Sequence, residues 1–266
     1  MSDLEGNGGS SSAKRGVYLP PFDQLVDPRV LVELARRAER SGWDGFFLWD
    51  HVNYRPPVGA VADAWIALAA IAGATERIRI GPMVTPLSRR RIQKVARETV
   101  TLDRLSDGRL TLGVGLGSPR NGELEPFGEE VDPRRRADLL DQGLDRLASF
   151  WAGEFEPGPV QSPRIPVWVA GRWKTRRRPL ERAVRWDGFF PIGLPDPAAL
   201  ARVAEEVARL RPGAEGAFDL AVEIAPGDAA APWEEAGATW VLTAFGAEAR
   251  LAEVEAAIEA GPGTGR

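Results

Sequence analysis

Residues 101–117 read TLDRLSDGRLTLGVGLG, and this stretch decides the fold. It starts within a helix predicted over Ile92–Leu105, turns at Asp107-Gly108, and continues as a strand predicted over Arg109–Val114. Glycines then occupy every second position at the end of that strand. Because this glycine run follows the fourth predicted strand and not the first, its context disfavours a Rossmann dinucleotide fingerprint.

The same alternation of strand and helix extends along the chain on both sides of this stretch. Strands are predicted at Gly16–Pro20, Asp44–Trp49, Ile78–Val84, Arg109–Val114, Val167–Ala170, Gly188–Ile192, Phe218–Ile224 and Thr239–Thr243. Helices are predicted at Pro28–Arg40, Asp63–Thr75, Ile92–Leu105, Pro133–Trp151, Arg177–Arg185, Pro197–Leu210, Trp233–Ala236 and Ala247–Ala260. Eight strands that alternate with helices predict an α/β fold with a single (β/α)8 (TIM) barrel, in preference to a doubly wound open sheet.

The length and composition agree with one barrel. A chain of 266 residues with 44% hydrophobic content has enough apolar side chains to fill such a core. The first residues are polar and rich in glycine and serine, without the apolar segment of a signal peptide. We therefore predict a disordered tail over residues 1–15 and the barrel over residues 16–266.

The rare residue types exclude several kinds of active site. The chain has no cysteine, one histidine (His51) and a formal net charge of −4. These numbers exclude thiolate metal sites and cysteine nucleophiles, remove the histidines that a Ser-His-Asp relay or a multi-histidine zinc site needs, and disfavour a nucleic-acid partner. Three lysines leave few places for a Schiff-base amine. No metal site is expected, and an organic cofactor would have to supply most of the chemistry of an enzyme.

Three segments resemble the luciferase-like monooxygenase superfamily, which contains FMN-dependent monooxygenases and dehydrogenases and reductases that use the deazaflavin coenzyme F420. The first is AERSGWDGFFLWDH at 38–51, and the second is ARE at 96–98 continuing through the opening stretch. The third is PVWVAGRW at 166–173 followed by RWDGFFP at 185–191. The resemblance implies a luciferase-like barrel, an oxidoreductase activity, and FMN or coenzyme F420 as cofactor.

His51 and Asp50 are the candidate catalytic residues. His51 follows the second predicted strand, at the end of a barrel where active sites are built, and imidazole titrates near neutral pH. The alternative is a surface histidine in a loop. Asp50 has three interpretations that stay open: it orients the His51 ring, it acts on the substrate, or it caps the following turn.

Other residues of the barrel mouth are predicted to bind the cofactor. The resemblance implies that Met83, Val84 and Thr85 lie against the cofactor ring and that the Met83–Val84 peptide bond is cis. The alternative is an ordinary apolar strand end. Gly115 and Gly117 would let the backbone approach a ligand, although glycines there also serve turns. Asn121 and Glu123, in the next loop, rank lower as solvated polar residues.

A phosphate site is predicted where the fifth strand ends. Gly171, Arg172, Trp173 and Lys174 precede a helix, and free N–H groups and cations at such a place bind phosphate. The alternative is a solvated basic helix start. Two other arginine clusters, at 89–91 and 134–136, are predicted to be solvated.

The functional hypothesis is thus a flavin- or F420-dependent monooxygenase or hydride-transferring enzyme that acts on a small organic substrate. Two alternatives stay open: a non-catalytic cofactor-binding barrel and a cofactor-free lyase or isomerase. The first is motivated by the short connection from Glu154 to Pro166 and by the lack of any histidine besides His51. We expect a cytoplasmic protein without nucleic-acid or membrane partners, and a homodimer is an open option.

Overall fold

A computed structural model describes residues 12–175, 177–213 and 216–263. The strands are β1 Lys14–Leu19, β2 Gly45–Leu48, β3 Arg79–Pro82, β4 Thr85–Pro86, β5 Leu112–Gly115, β6 Val167–Arg172, β7 Gly188–Ile192, β8 Asp219–Ile224 and β9 Trp240–Ala244. The helices are α1 Pro28–Arg40, α2 Ala64–Ala72, α3 Ile92–Leu105, α4 Pro133–Ser149, α5 Arg177–Ala183, α6 Pro197–Leu210, α7 Ala231–Glu235 and α8 Leu251–Ala260. Among these helices, none is both long and apolar enough to span a membrane.

The strands form one parallel sheet in the order β3-β2-β1-β9-β8-β7-β6-β5-β4. β3 and β4 are two parts of one barrel strand, because only Met83 and Val84 separate them. The Ile80–Leu110 bridge brings β3 back beside the start of β5, which nearly closes the barrel. The predicted (β/α)8 barrel is therefore confirmed, with a correction: the third strand is broken where it leaves β2 and joins β5.

The first strand begins earlier than predicted. Lys14 donates its backbone N–H to the Thr239 carbonyl at 2.9 Å, and the Arg15 guanidinium lies 2.6 Å from the Glu234 carboxylate. These contacts place Lys14 and Arg15 in β1 and not in the predicted tail of residues 1–15. Residues 1–11 of that predicted tail lie outside the described residues.

Side chains alternate between two apolar layers, as the pleat of each strand requires. Phe46 and Leu48 of β2 face the helices, whereas Phe47 faces the barrel interior. There its ring lies 5.5 Å from Trp168, and Trp168 lies 5.4 Å from Trp240. These large rings pack against one another in the interior of the barrel.

Gly81 allows the close approach of β3 to β5. A Cβ atom at this position would lie well inside contact distance of the Thr111 carbonyl oxygen. Backbone atoms cannot move aside as a flexible side chain can, and overpacking of this kind costs about 1–3 kcal/mol or more. We expect Gly81→Ala to lower the free energy of unfolding, measured by urea denaturation, by at least this amount.

Gly73, at the C-terminus of α2, provides the matched control. An added Cβ atom there meets no atom closer than 3.8 Å, and the backbone has an ordinary φ of −73°. Gly73→Ala should therefore be close to neutral. Equal stability losses in the two variants would contradict the role assigned to Gly81.

The connections at the two ends of the barrel differ in length. At the mouth, two loops are long, residues 49–63 after β2 and residues 116–132 after β5. The short connection 155–166 lies at the opposite end, where Val160 N–H donates to the Asp103 carboxylate at 2.7 Å and the Gln161 amide donates to the Leu110 carbonyl at 2.8 Å. The connection therefore lies away from the mouth, and its shortness no longer supports a non-catalytic barrel.

Candidate active site

The carboxyl ends of the strands bring the predicted site residues to one rim. Asp50 and His51 follow β2, Met83 to Thr85 join β3 and β4, and the residues from Gly115 follow β5. Gly171 to Lys174 complete the set at the end of β6. The mouth is the place where barrels of this class build their sites.

His51 forms a hydrogen-bonded pair with Glu123. Its Nδ1 atom lies 2.8 Å from Oε2 of Glu123, whose side chain is 2% exposed. The other carboxylate oxygen of Glu123 accepts the N–H of Val52 at 3.1 Å. His51 itself is 18% exposed. One imidazole edge is therefore held by a buried carboxylate while the ring still reaches solvent.

Aromatic rings surround this pair. The rings of Phe22, Trp49 and Tyr54 lie 5.8, 5.8 and 5.1 Å from the His51 ring. The Trp49 ring also lies 5.8 Å from Tyr18. The mouth beside His51 is thus lined by aromatic side chains, a lining that suits an organic ligand.

The Met83–Val84 peptide bond is cis, as the resemblance implies. The Met83 carbonyl accepts the Tyr18 hydroxyl at 2.9 Å. Val84 packs against β5 where Gly115 has no side chain, since a Cβ there would lie 2.9 Å from Val84 Cγ2. Gly117 has φ of +72°, a left-handed conformation that favours glycine. Both glycines are therefore needed for the local backbone packing.

The predicted phosphate loop lies at the end of β6. Arg172 and Lys174 are exposed, and a 3-10 turn over Trp173–Thr175 precedes α5. A Cβ at Gly171 would overlap the Pro179 ring, so this glycine brings α5 close to β6. The structure thus presents two cations at the mouth and gives Gly171 a packing role.

The family model described as "Luciferase-like monooxygenase" matches residues 4–264. The chain belongs to this family. An uncharacterised protein of Mycobacterium tuberculosis is 30% identical over 284 residues, covering 91% of this chain and 94% of the relative. An F420-dependent glucose-6-phosphate dehydrogenase of Beutenbergia cavernae is 36% identical over 133 residues, 48% of this chain and 38% of that enzyme.

A solved structure extends the similarity to the whole fold. The coenzyme F420-dependent tetrahydromethanopterin reductase of Methanopyrus kandleri superimposes with a TM-score of 0.71 at 16% identity. The match covers 94% of this chain and 97% of the reductase. This likeness supports the luciferase-like barrel as the fold of the chain.

In this luciferase-like barrel, Asp50 is the centre of a buried polar network and does not line the open mouth. Its side chain is 2% exposed. It accepts hydrogen bonds from Thr85 Oγ1 at 2.7 Å, from Trp65 Nε1 at 3.0 Å and from the guanidinium of Arg90 at 2.8 Å. These contacts do not fit the interpretation in which Asp50 acts on the substrate. The predicted ligand contact of Thr85 is corrected for the same reason, because its buried hydroxyl is used by Asp50.

The guanidinium groups of Arg90 and Arg89 determine the charge state of Asp50. Burial acts to raise the pKa of Asp50, but the guanidinium groups of Arg90 and Arg89 and the hydrogen bonds from Thr85 and Trp65 outweigh it. The pKa of Asp50 is therefore held below its ordinary value. Asp50 is a carboxylate that fixes the first residues of the loop carrying His51.

The prediction that both arginine clusters are solvated was wrong for three arginines. Arg89 is 3% exposed and lies 3.1 Å from Asp50 and 3.7 Å from Glu123, and Arg90 is 17% exposed. Arg136 is buried and donates to the carbonyls of Leu116 and Gly117 at 2.8 and 3.2 Å. Buried carboxylates and free loop carbonyls at the mouth require these donors.

Glu123, predicted to be a solvated residue of low rank, is instead buried and hydrogen-bonded to His51. It is separated from His51 by 72 positions, and it lies in a loop rich in glycine and proline. Nothing local distinguishes it from a solvated glutamate. The signal was the need of a lone mouth histidine for an orienting carboxylate, a pairing common in active sites.

Proposed function

We propose that the chain is an oxidoreductase that binds a flavin-type cofactor, coenzyme F420 or FMN, in the barrel mouth and exchanges a hydride with a small organic substrate. The observation that carries the proposal is the His51–Glu123 pair at the rim that also holds the cis Met83–Val84 peptide. Membership of the luciferase-like family and the F420-dependent relatives support it.

The residues of the mouth fit a flat redox ring. Val84 and the backbone at Gly115 form an apolar surface, and the rings of Tyr18 and Trp49 lie beside it. Trp49 Nε1 is buried and has no hydrogen-bond partner among the described residues. A buried donor of this kind is expected to meet an acceptor, and the carbonyl groups of a flavin or deazaflavin ring are acceptors.

Such a cofactor, when bound, supplies the hydride chemistry, and the protein supplies binding and proton control. The Glu123 carboxylate accepts a hydrogen bond from Nδ1–H of His51 and so fixes the tautomer. Nε2 is then left to hold or release a proton on the substrate side. Arg172 and Lys174 would hold the cofactor phosphate, and Asp50 with Arg89 keeps the His51 loop in place.

The cofactor is identified by fluorescence titration of the purified chain with F420 and with FMN in separate experiments. We expect saturable binding of one of them, followed by reduction or oxidation of the bound cofactor with a panel of small alcohols, amines and ketones. Binding without any redox change would favour a non-catalytic barrel. Binding of neither cofactor would contradict the proposal.

Arg172→Ala tests the phosphate end of the site. Arg172 is exposed, so screening limits its contribution, and we expect its loss to weaken cofactor affinity by roughly 3- to 10-fold. The difference in cofactor affinity between the wild type and Arg172→Ala should shrink at 1 M salt, because screening removes the contribution of the Arg172 charge. Arg209→Ala, at the far end of α6, is the control and should bind as the wild type does. An unchanged dissociation constant in Arg172→Ala would remove Arg172 from the site.

A further inference from the structure

A carboxyl group faces the barrel mouth from the strand opposite the cis peptide. Leu220, Val222 and Ile224 of β8 pack towards the helices, whereas Ala221 faces the interior. Side chains alternate along a strand, so Glu223 shares the inward face with Ala221. Counting β3 and β4 as one, β8 is four strands from Met83–Val84 in either direction around the barrel. Glu223 therefore lies across the mouth from the proposed ring site.

Glu223 is partly buried and has no cation beside it among the residues that the structure describes. Its Oε1 atom accepts the backbone N–H of Gly193 at 3.2 Å. No arginine or lysine of the described residues lies within ion-pair distance of its carboxylate. Burial raises the pKa of Glu223, and the Gly193 hydrogen bond only partly opposes this. Most other carboxylates of the mouth network are paired, as Asp50 and Glu123 show, so an unpaired one stands out.

Aromatic rings lie between Glu223 and the cis peptide along the rim of the barrel. Tyr18, two strands from β8, has its ring 5.8 Å from Trp49 and 5.7 Å from Phe190. Burial raises the pKa of Tyr18, and the nearby carboxylate of Glu223 raises it further. Tyr18 and Ala221 both belong to the interior cluster, so Glu223, on the same face of β8 as Ala221, shares the mouth with these rings.

We propose that Glu223 is the substrate-specificity residue of this mouth and that the substrate carries a protonated amine. An unpaired carboxylate accepts a charge-assisted hydrogen bond from an ammonium group, and the faces of Tyr18 and Trp49 attract the same cation. A carboxylate or phosphate on the substrate would be repelled here. This inference rests on the proposed function, because it assigns the substrate class for the same mouth.

Calorimetric titration with three probes of one shape tests the inference. The probes are benzylamine, which is protonated at pH 7.5, benzyl alcohol and benzoate. They are titrated into the full chain with and without the cofactor that binds. We expect wild-type protein to prefer benzylamine over benzyl alcohol by about 10-fold or more and to bind benzoate most weakly, since hydrogen bonds to charged groups are the stronger ones.

Glu223→Gln keeps the shape of the side chain and removes its charge. We expect it to lose roughly 10- to 100-fold of benzylamine affinity and little of benzyl alcohol affinity. Glu248→Gln, an exposed position in the loop after β9 at the same end of the barrel, should behave as the wild type. Circular dichroism and thermal melts verify that the variants are folded.

Several outcomes would overturn the inference: equal affinity for the amine and the alcohol, preference for benzoate, no binding of benzylamine, or an unchanged profile in Glu223→Gln. If that variant does not fold, the selectivity of the wild type among the three probes still decides. The cofactor-free chain is titrated as well. A failure to bind F420 or FMN would therefore contradict the proposed function, while the preference for the amine would still be measured.

Discussion

His51→Ala is expected to lower the rate of cofactor reduction or oxidation by about 100-fold or more, the usual scale for loss of a positioned acid or base. The side chain is partly exposed, and its strongest contact is with Glu123, so folding and cofactor affinity should change little. Turnover is followed by cofactor absorbance with the substrate found in the panel. Wild-type turnover in His51→Ala would show that His51 is only a loop residue.

Variants of Glu123 distinguish the positioning of His51 from its acid–base chemistry in the same assay. Glu123→Gln can still accept a hydrogen bond from Nδ1–H but lacks the charge, whereas Glu123→Ala removes the partner. We expect a smaller loss of turnover in the first variant than in the second. In a His51→Ala background, Glu123→Gln should cost little more, because residues that act as a unit are not additive. Additive losses would contradict the pair.

Asp50→Ala should have the largest effect on stability. It leaves the guanidinium groups of Arg89 and Arg90 without their buried carboxylate, and removing one partner of a buried ion pair typically costs about 3–5 kcal/mol. Urea denaturation followed by tryptophan fluorescence measures this loss. Glu248→Ala, at an exposed position, is the control and should lie within about 0.5 kcal/mol of the wild type. A comparable small change for Asp50→Ala would contradict the network.

Acid conditions give an independent measure of the same network. The pKa of Asp50 in the folded chain lies below its value when unfolded, so the unfolded chain takes up the proton first as the pH falls. The stabilisation by Asp50 is therefore complete above roughly pH 4, near the ordinary aspartate pKa, and is lost at lower pH. The stability difference between wild type and Asp50→Asn should be constant from neutral pH to about pH 5 and shrink below pH 4. A difference that grows on acidification would contradict this assignment.

The helix and strand pattern was readable because local signals agreed with the fold. α3 and α6 have the predicted bounds, Ile92–Leu105 and Pro197–Leu210, and α6 has proline at its start. The break in the third strand was not readable, because the run from Ile80 to Val84 stays apolar through it. The start of β1 was missed because Lys14 and Arg15 look like tail residues until their partners on β9 and α7 are known.

The candidate site was predictable only where position alone determines a role. His51 could be placed at the mouth from its strand, and the cis peptide from the resemblance. The burial of Arg89 and of Glu123 depends on partners 39 and 72 positions away in the sequence. Without those partners, a charged side chain is predicted to be exposed. The role of Asp50 stayed open for the same reason, since its neighbours in the sequence do not reveal that two arginines cover it.

A crystal structure of the chain soaked with the cofactor it binds tests the central claim most directly. We predict that the ring lies against the cis Met83–Val84 peptide and that the phosphate lies near Arg172. Nε2 of His51 should lie within hydrogen-bond reach of the ring or of the substrate position next to it. A ring bound elsewhere on the barrel, or one separated from His51 by protein, would contradict the account.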